Sequence, residues 1–324
     1  MNSSTQPVSP FSCAPFIKEI GRGKEGARGL DRAQARELMA AILAGLVSPL
    51  ELGAVLIALR VKGETIDELL GFLDALDDQS VQANDTATLV FQQLNDWSVQ
   101  SGKPVVVIPS YNGARRKPNL TAMIAGLLAE KGFPVLVHGH ADNAVGRVST
   151  RSVMDQIQWP MAKAPVYLEL AHWQPMLAEL LNKRAVLGVR NVAHTLVKLL
   201  VPSQLKQTLA VCSYTHPEFW NLQRAVFSSL EQTALVLRGH EGEPVAAPYR
   251  VPRMDGVKAG QSWCLAEPES LMSEQPDPHP PIDATSTARQ IEAWLTKSEV
   301  IPHGFVAQLQ AIETLIASDT AAQS

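Results

Sequence analysis

A chain of 324 residues that is 46% hydrophobic and 19% charged buries a sizeable core and has room for two domains. Its three cysteines, Cys13, Cys212 and Cys264, match neither a metal spacing nor a disulfide framework and fit a reducing compartment. No basic segment leads into an apolar core at the N-terminus and no apolar run reaches membrane-spanning length, so the expected location is the cytoplasm, and the net charge of −4 argues against nucleic acid only if it is evenly spread.

Residues 1–15, rich in Ser, Pro and Thr, read as a disordered tail. The stretch IKEIGRGKEGARGL then sets Arg22, Lys24 and Arg28 between glycines. Asp31 can cap a helix through Leu38, Met39, Ile42, Leu43 and Leu46. Ser48-Pro49-Leu50-Glu51 joins a capping box to a first-turn proline and opens a helix through Leu52, Val55, Leu56 and Leu59. Thr65 to Glu68 repeats the device before Leu69, Phe72, Leu73 and Leu76. These helices predict a small all-helical domain over 16–85, to which 176–202 returns. Residues 100–175 and 203–324 read as a larger α/β domain with a mainly parallel, doubly wound sheet. Its strands are expected at Val105 to Ile108, Pro134 to His138, Val166 to Leu170, Thr208 to Tyr214 and Ala234 to Leu237, with helices from Asn119, near Ser149 to Gln158 and over Pro217 to Leu230. Glu274 to Pro281 is a polar linker before two closing helices, one through Ala288, Ile291 and Leu295, the other through Phe305, Leu309, Ile312 and Ile316.

The informative stretch is Val105 to Asn119, a strand, a loop and a helix start. In α/β proteins such a loop sits at the carboxyl edge of the sheet, where backbone amides commonly cradle phosphate. This one carries Arg115, Arg116 and Lys117 and a single glycine, Gly113, so it presents charge outward instead of bringing bare backbone close to a ligand. An ordinary solvated basic turn would have the same composition. Charge is concentrated around it: residues 101–206 hold 13 Lys and Arg against 5 Asp and Glu, a local +8 that leaves −12 elsewhere.

The segment ILAGLVSPLELGAVLIALRVKGETIDELLGFLDAL, above all Ala58 to Thr65, resembles the helical domain of anthranilate phosphoribosyltransferase and its relatives in glycosyl transferase family 3. AVLGVRNVAHTLVKLLVP over 185–202, His216-Pro217-Glu218 and ALVLRGHEG extend the resemblance over nearly the whole chain. That resemblance implies the phosphoribosyltransferase-like fold, and it implies three substrate motifs that this chain has lost. Pro109 to Gly113, with Ser110, Tyr111 and Asn112, stand where the enzymes carry the glycine-rich loop for phosphoribosyl pyrophosphate. Val137-His138-Gly139-His140 replaces Lys-His-Gly-Asn, and Gly242-Glu243-Pro244-Val245 replaces the magnesium-holding Gly-Leu-Asp-Glu. Proline and valine give a hard cation no oxygen ligand; Glu241 and Glu243 lie off the pattern. No cofactor or metal is expected and no catalytic residue is assigned. His138, His194 and His216 suit structural or surface roles, while Arg190 keeps the position at which the enzymes bind the anthranilate carboxylate.

Positive charge has been gained instead. Arg190, His194 and Lys198, at i, i+4 and i+8, are expected to form one polar helical stripe able to track phosphates. Lys183 and Arg184 precede it and Lys206 follows. The resemblance implies that these and the Arg115–Lys117 loop surround one interdomain groove, with Arg22 and Lys24 contributing. IKEIGRGK, IPSYNGAR, GVRNxAHTL and SxxHPE are similar to the YbiB-type branch of the family, for which the resemblance implies a homodimer built through the helical domain that binds DNA, or RNA, without sequence preference. The alternative is a glycosyl or phosphoribosyl transferase acting on a phosphorylated or carboxylated small molecule; a third is a regulatory or assembly protein that keeps the fold as a platform.

Overall fold

The computed structural model describes residues 11–23, 25–79, 83–140, 146–270 and 282–318. Ordered chain begins earlier than composition suggests. Helix α1 (Ala14–Ile20) starts inside the stretch read as a tail, because Cys13 and Phe16 are buried and the Cys13 amide donates to Glu51 Oε1 at 3.0 Å. Residues 1–10, Lys24 and the linker 274–281 lie outside the described residues.

Capping chemistry sets the next helices where the sequence puts them. Asp31 Oδ1 accepts from the Gln34 amide at 2.8 Å and Gln34 Oε1 accepts from the Asp31 amide at 3.1 Å, starting α2 (Arg32–Leu43). Such a cap contributes about 1 kcal/mol. Ser48 and Glu51 form the same box for α3 (Pro49–Lys62). At the start of α4 (Ile66–Gln79), Glu68 is fully buried; Oε2 accepts from the Thr65 amide at 2.8 Å and the Lys62 ammonium at 2.7 Å, and Oε1 from the Leu30 amide at 3.0 Å. The Ala58–Thr65 motif, most telling for ancestry, therefore leads into a structural clasp.

The chain divides into two compact units: 1–81 with 179–196, and 82–178 with 197–324. The second opens with α5 (Asp85–Ser101), a helix absent from the sequence reading, capped by Asn84 and burying Ala87, Phe91, Leu94 and Trp97. Strand β1 (Val105–Pro109) leads to α6 (Thr121–Glu130), then β2 (Val135–Gly139), α7 (Thr150–Met154) and β3 (Val166–Glu169). The helix expected over 149–158 is thus only five residues long, and β3 gives way at Leu170 to a 3-10 turn. Next come α8 (Pro175–Asn182), α9 (Arg184–Leu187), α10 (Ala193–Leu199), β4 (Thr208–Tyr214), α11 (Pro217–Ser229) and β5 (Ala234–Arg238). The C-terminal part holds β6 (Arg250–Val251), β7 (Met254–Lys258), β8 (Gln261–Ala266), β9 (Glu269–Ser270), α12 (Ala284–Leu295) and α13 (His303–Ala317).

Among the described residues, seven strands form one sheet in the order β3-β2-β1-β4-β5-β7-β8, parallel through β5 and antiparallel at β7 and β8; β6 and β9 pair separately. Every residue of β1 and β2 is buried, as a parallel sheet covered on both faces requires. From β1 the chain winds one way to β2 and β3, then returns to β4 and β5 on the other side. The carboxyl ends of β1 and β4 therefore flank a topological switch point, the place where open α/β sheets collect their functional loops.

Candidate nucleic-acid interface

The loop after β1 is held from within by two glutamates. His240 to Glu243 makes a tight turn whose two central residues, Glu241 and Gly242, have φ of 54° and 85°, and the Glu243 amide donates to His240 O at 2.9 Å. This turn delivers the Glu243 carboxylate, 1% exposed, into the β1 loop. Glu243 Oε1 accepts from the Gly113 amide at 2.8 Å and the Asn112 amide at 3.0 Å, and Oε2 from the Ser110 hydroxyl at 2.6 Å. Glu241 Oε2 accepts from the amides of Arg116 at 3.0 Å and Arg115 at 3.2 Å. Amides that could receive an external anion already hold the chain's own carboxylates. Burial pushes the Glu243 carboxyl above its ordinary range, opposed by the Ser110 hydrogen bond, the Lys198 ammonium and the two amides. Tyr111 is buried, and Gly139 packs so closely that a Cβ there would lie 1.9 Å from Ser110 O.

Outside this clasp the side chains of Arg115 and Arg116 are exposed and that of Lys117 is half-buried. The loop does carry its charge outward. The expected helical stripe, by contrast, is not formed. Asn191 Oδ1 accepts from the Ala193 amide at 3.0 Å, α10 begins at Ala193, and Arg190 lies outside the helix. His194 is only 7% exposed and accepts at Nδ1 from the Asn191 amide at 3.3 Å; burial and the nearby Arg190 and Arg184 push its pKa down to about 3. It is neutral and turned inward. Lys198 also points inward, donating to Ser213 O at 2.8 Å, and supplies a positive charge beside buried Glu243.

The other expected cations belong to different elements of the chain. Lys206 is exposed but precedes β4, at the amino edge of the sheet, whereas the 115–117 loop follows β1 at the carboxyl edge. Crossing the strands separates them by roughly 15–20 Å at about 3.3 Å per residue, so the two do not share a site. Arg22, Lys183, Arg184 and Arg190 belong to the helical unit. Arg22 pairs with Glu19 at 2.9 Å, and Lys183 stands 3.9 Å from Glu179. His138 is fully buried, donates from Nε2 to Leu200 O at 3.1 Å and meets Trp173 edge-on; burial takes its pKa down to about 4.

One feature of the α/β unit escaped the sequence reading. A cavity of about 500 Å³ opens where β4 and β5 end, with Tyr214, Trp220, Arg238, Arg250 and Arg253 in its wall and Lys117 of the basic loop at its side. The signals were present in RGHEG and YRVPR, but they lie far apart in the chain.

A helical bundle joined to a larger α/β domain with a mainly parallel sheet is the phosphoribosyltransferase-like class of architecture. Residues 14–80 match the helical bundle domain of the glycosyl transferase family. The chain is 38% identical over 307 residues to the uncharacterized protein YbiB of Escherichia coli (strain K12), with 91% of each chain covered. It is 28% identical over 318 residues to the anthranilate phosphoribosyltransferase of Thermomicrobium roseum, covering 90% of this chain and 84% of the relative. Anthranilate phosphoribosyltransferase from Thermus thermophilus shares the fold with a TM-score of 0.62 at 20% identity, over 91% of this chain and 86% of that one. The chain belongs to glycosyl transferase family 3, in the same branch as YbiB.

Proposed function

We propose that this chain is a non-catalytic binder of nucleic acid that grips phosphates without reading sequence, using cations on a degenerate phosphoribosyltransferase scaffold. The observation that carries this reading is the pair Glu243 and Glu241, whose oxygens engage the amides of Asn112, Gly113, Arg115 and Arg116. A pyrophosphate entering that cradle would have to displace a buried carboxylate and would be repelled by it. Arg115 and Arg116 meanwhile stay in water, where a polyanion reaches them. Magnesium is equally disfavoured: Pro244 and Val245 offer no oxygen side chain, and both oxygens of Glu243 are already engaged. Without metal or cradle, the charge on a departing pyrophosphate goes unstabilised, which removes the largest catalytic contribution such an enzyme has.

The protein acts as a homodimer through its helical unit. Leu50, Ala54, Ile57 and Val61 lie along one side of α3 at spacings of four, three and four residues, and all are exposed, Leu50 by 85% and Val61 by 71%. The opposite side, Val55, Leu56 and Leu59, is buried. A helix apolar on two sides calls for two partners, and a second copy makes the patch self-complementary about a two-fold axis.

The competing reading is a transferase for a phosphorylated or carboxylated small molecule, supported by the name of the Thermomicrobium roseum relative. Anisotropy of labelled single- and double-stranded DNA and RNA across a salt series, beside a titration of phosphoribosyl pyrophosphate with magnesium, separates the two. The expected result is oligonucleotide binding that weakens steeply with salt and no saturable binding of the small molecule. An oligonucleotide affinity unchanged between low and moderate salt, or tight phosphoribosyl pyrophosphate binding alone, overturns the proposal.

A further inference from the structure

The cavity at the ends of β4 and β5 answers to no lost substrate motif, and its wall has a definite chemistry. Its volume, about 500 Å³, falls within the small-ligand range of roughly 300–1,000 Å³. Arg238 and Arg250 are exposed and have no carboxylate partner among the described residues. Arg253 is already engaged by Asp255 at 3.1 Å and Glu267 at 3.2 Å. The acidic side chain in the wall, Glu241, is directed to the amides of Arg115 and Arg116. Two guanidinium groups are thus left to meet an anion. The remaining surface includes Tyr214, Pro217, Trp220 and Pro252. Trp220 is fixed there: its Nε1 donates to Asp255 at 2.7 Å, and Arg224 and Arg253 lie 4.6 and 5.0 Å from its ring centre.

We infer that this cavity takes the phosphate monoester of a nucleotide, free or at the end of a strand, with Arg238 and Arg250 on the phosphate and the apolar wall against the sugar and base. A monoester carries about −1.5 to −2 charge at neutral pH and three acceptor oxygens, which suits two guanidinium forks. A diester within a strand carries a single charge and must leave the site in both directions. The strand-end form of the inference rests on the nucleic-acid reading above; the free-nucleotide form does not.

The test uses the full chain and four probes: single-stranded oligonucleotides of one sequence bearing a 5′-phosphate, a 3′-phosphate or hydroxyls at both ends, and adenosine monophosphate. A phosphorylated end is expected to tighten binding by roughly tenfold, the scale of one hydrogen-bonded charged contact. Arg238→Ala with Arg250→Ala should erase that gain and leave binding of the hydroxyl-ended strand unchanged; the single substitutions serve should the pair fail to fold. Saturable adenosine monophosphate binding lost in the variants, with no preference among strand ends, identifies the free nucleotide as the ligand. Equal binding of all three strands together with no variant-sensitive adenosine monophosphate binding overturns the inference and leaves sequence-nonspecific binding standing. Should no strand bind at all, the earlier reading fails while the mononucleotide titration still decides this one.

Discussion

Glu243 Oε1 accepts a hydrogen bond from the Gly113 amide at 2.8 Å, bringing a carboxylate from the loop after β5 into the loop after β1 across 130 residues of sequence. The same carboxylate takes the Asn112 amide and the Ser110 hydroxyl, so it fixes the path of the chain that carries the exposed arginines. Glu243 is thus a structural joint between the two loops.

Replacing that carboxylate should therefore be felt in stability before binding. Glu243→Ala strands a buried hydroxyl and two amides and should destabilise by about 3 kcal/mol or more; Glu243→Gln keeps an acceptor and should cost less. The pH dependence has a defined sign. Because the folded carboxyl titrates above its ordinary value of 4.5, this site's contribution is fully present below that pH and is lost as pH rises through the folded pKa. Urea unfolding between pH 4 and 8 should show that loss in the parent and not in Glu243→Gln. An identical pH slope in both would refute the assignment.

Lys198 belongs to the same joint. Lys198→Ala removes the ammonium that donates to Ser213 O and faces Glu243, leaving a buried carboxylate uncompensated, so a loss of about 3 kcal/mol is expected. Oligonucleotide affinity per folded molecule should stay close to that of the parent. A stable variant with a flattened salt slope would instead place Lys198 on the phosphates.

His138 and His194 give the opposite pH sign. Both are held neutral by burial, at about 4 and about 3, against an ordinary 6.5. As pH falls below 6.5 the unfolded chain takes up protons that the folded chain refuses, so stability drains away down to those folded values. His138→Gln and His194→Gln should each flatten the acid limb of a stability profile, whatever they cost at pH 7. Unaltered acid limbs would show that neither histidine titrates as its burial requires.

What the sequence disclosed follows the range of each signal. Asp31, Ser48 and Thr65 act on amides three residues away, so α2, α3 and α4 could be placed from the chain alone. The β-branched runs of β1 and β4 were equally plain. The β7–β8 hairpin was missed because neither MDGVK nor QSWCLA alternates polar and apolar residues in a clean period of two, around a turn at Ala259 and Gly260. The stripe from Arg190 to Lys198 failed because a helical period was carried through Asn191, whose side chain caps the helix start. The site was legible only in half: Arg115 and Arg116 announce outward charge, but Glu243 finds its partners only after folding.

The helical unit supplies a prediction about assembly. Ile57→Asp with Val61→Asp puts two charges on the exposed side of α3, remote in that helix from the buried Val55, Leu56 and Leu59. Light scattering at micromolar concentration should report a dimer for the parent and a monomer for the variant, with the helical content retained. Affinity for long strands should fall more than affinity for short ones, because a second basic loop on the same particle makes the next contact intramolecular. A parent that is monomeric, or a variant that remains dimeric, would contradict the interface.

Arg115→Ala, Arg116→Ala and Lys117→Ala combined test the basic loop directly. The backbone path is held by Glu241, Glu243, Asn112 and Arg147, whose Nη1 donates to Gly113 O at 3.0 Å, while the side chains of Arg115 and Arg116 are exposed. The two exposed substitutions should together change stability by only about 0.5 kcal/mol, and any larger loss would come from half-buried Lys117. Binding should weaken by a similar factor for every oligonucleotide, because phosphate contacts position a protein without reading bases. The slope of log K against log salt should shallow by about 0.9 for each phosphate contact removed on duplex DNA. Glu241→Gln provides the converse: it removes negative charge from beside the Arg115 and Arg116 amides and should strengthen binding and steepen the slope. Should the triple variant be folded and bind with the parent's affinity and salt slope, the loop plays no part in holding nucleic acid, and the transferase reading becomes the one to pursue.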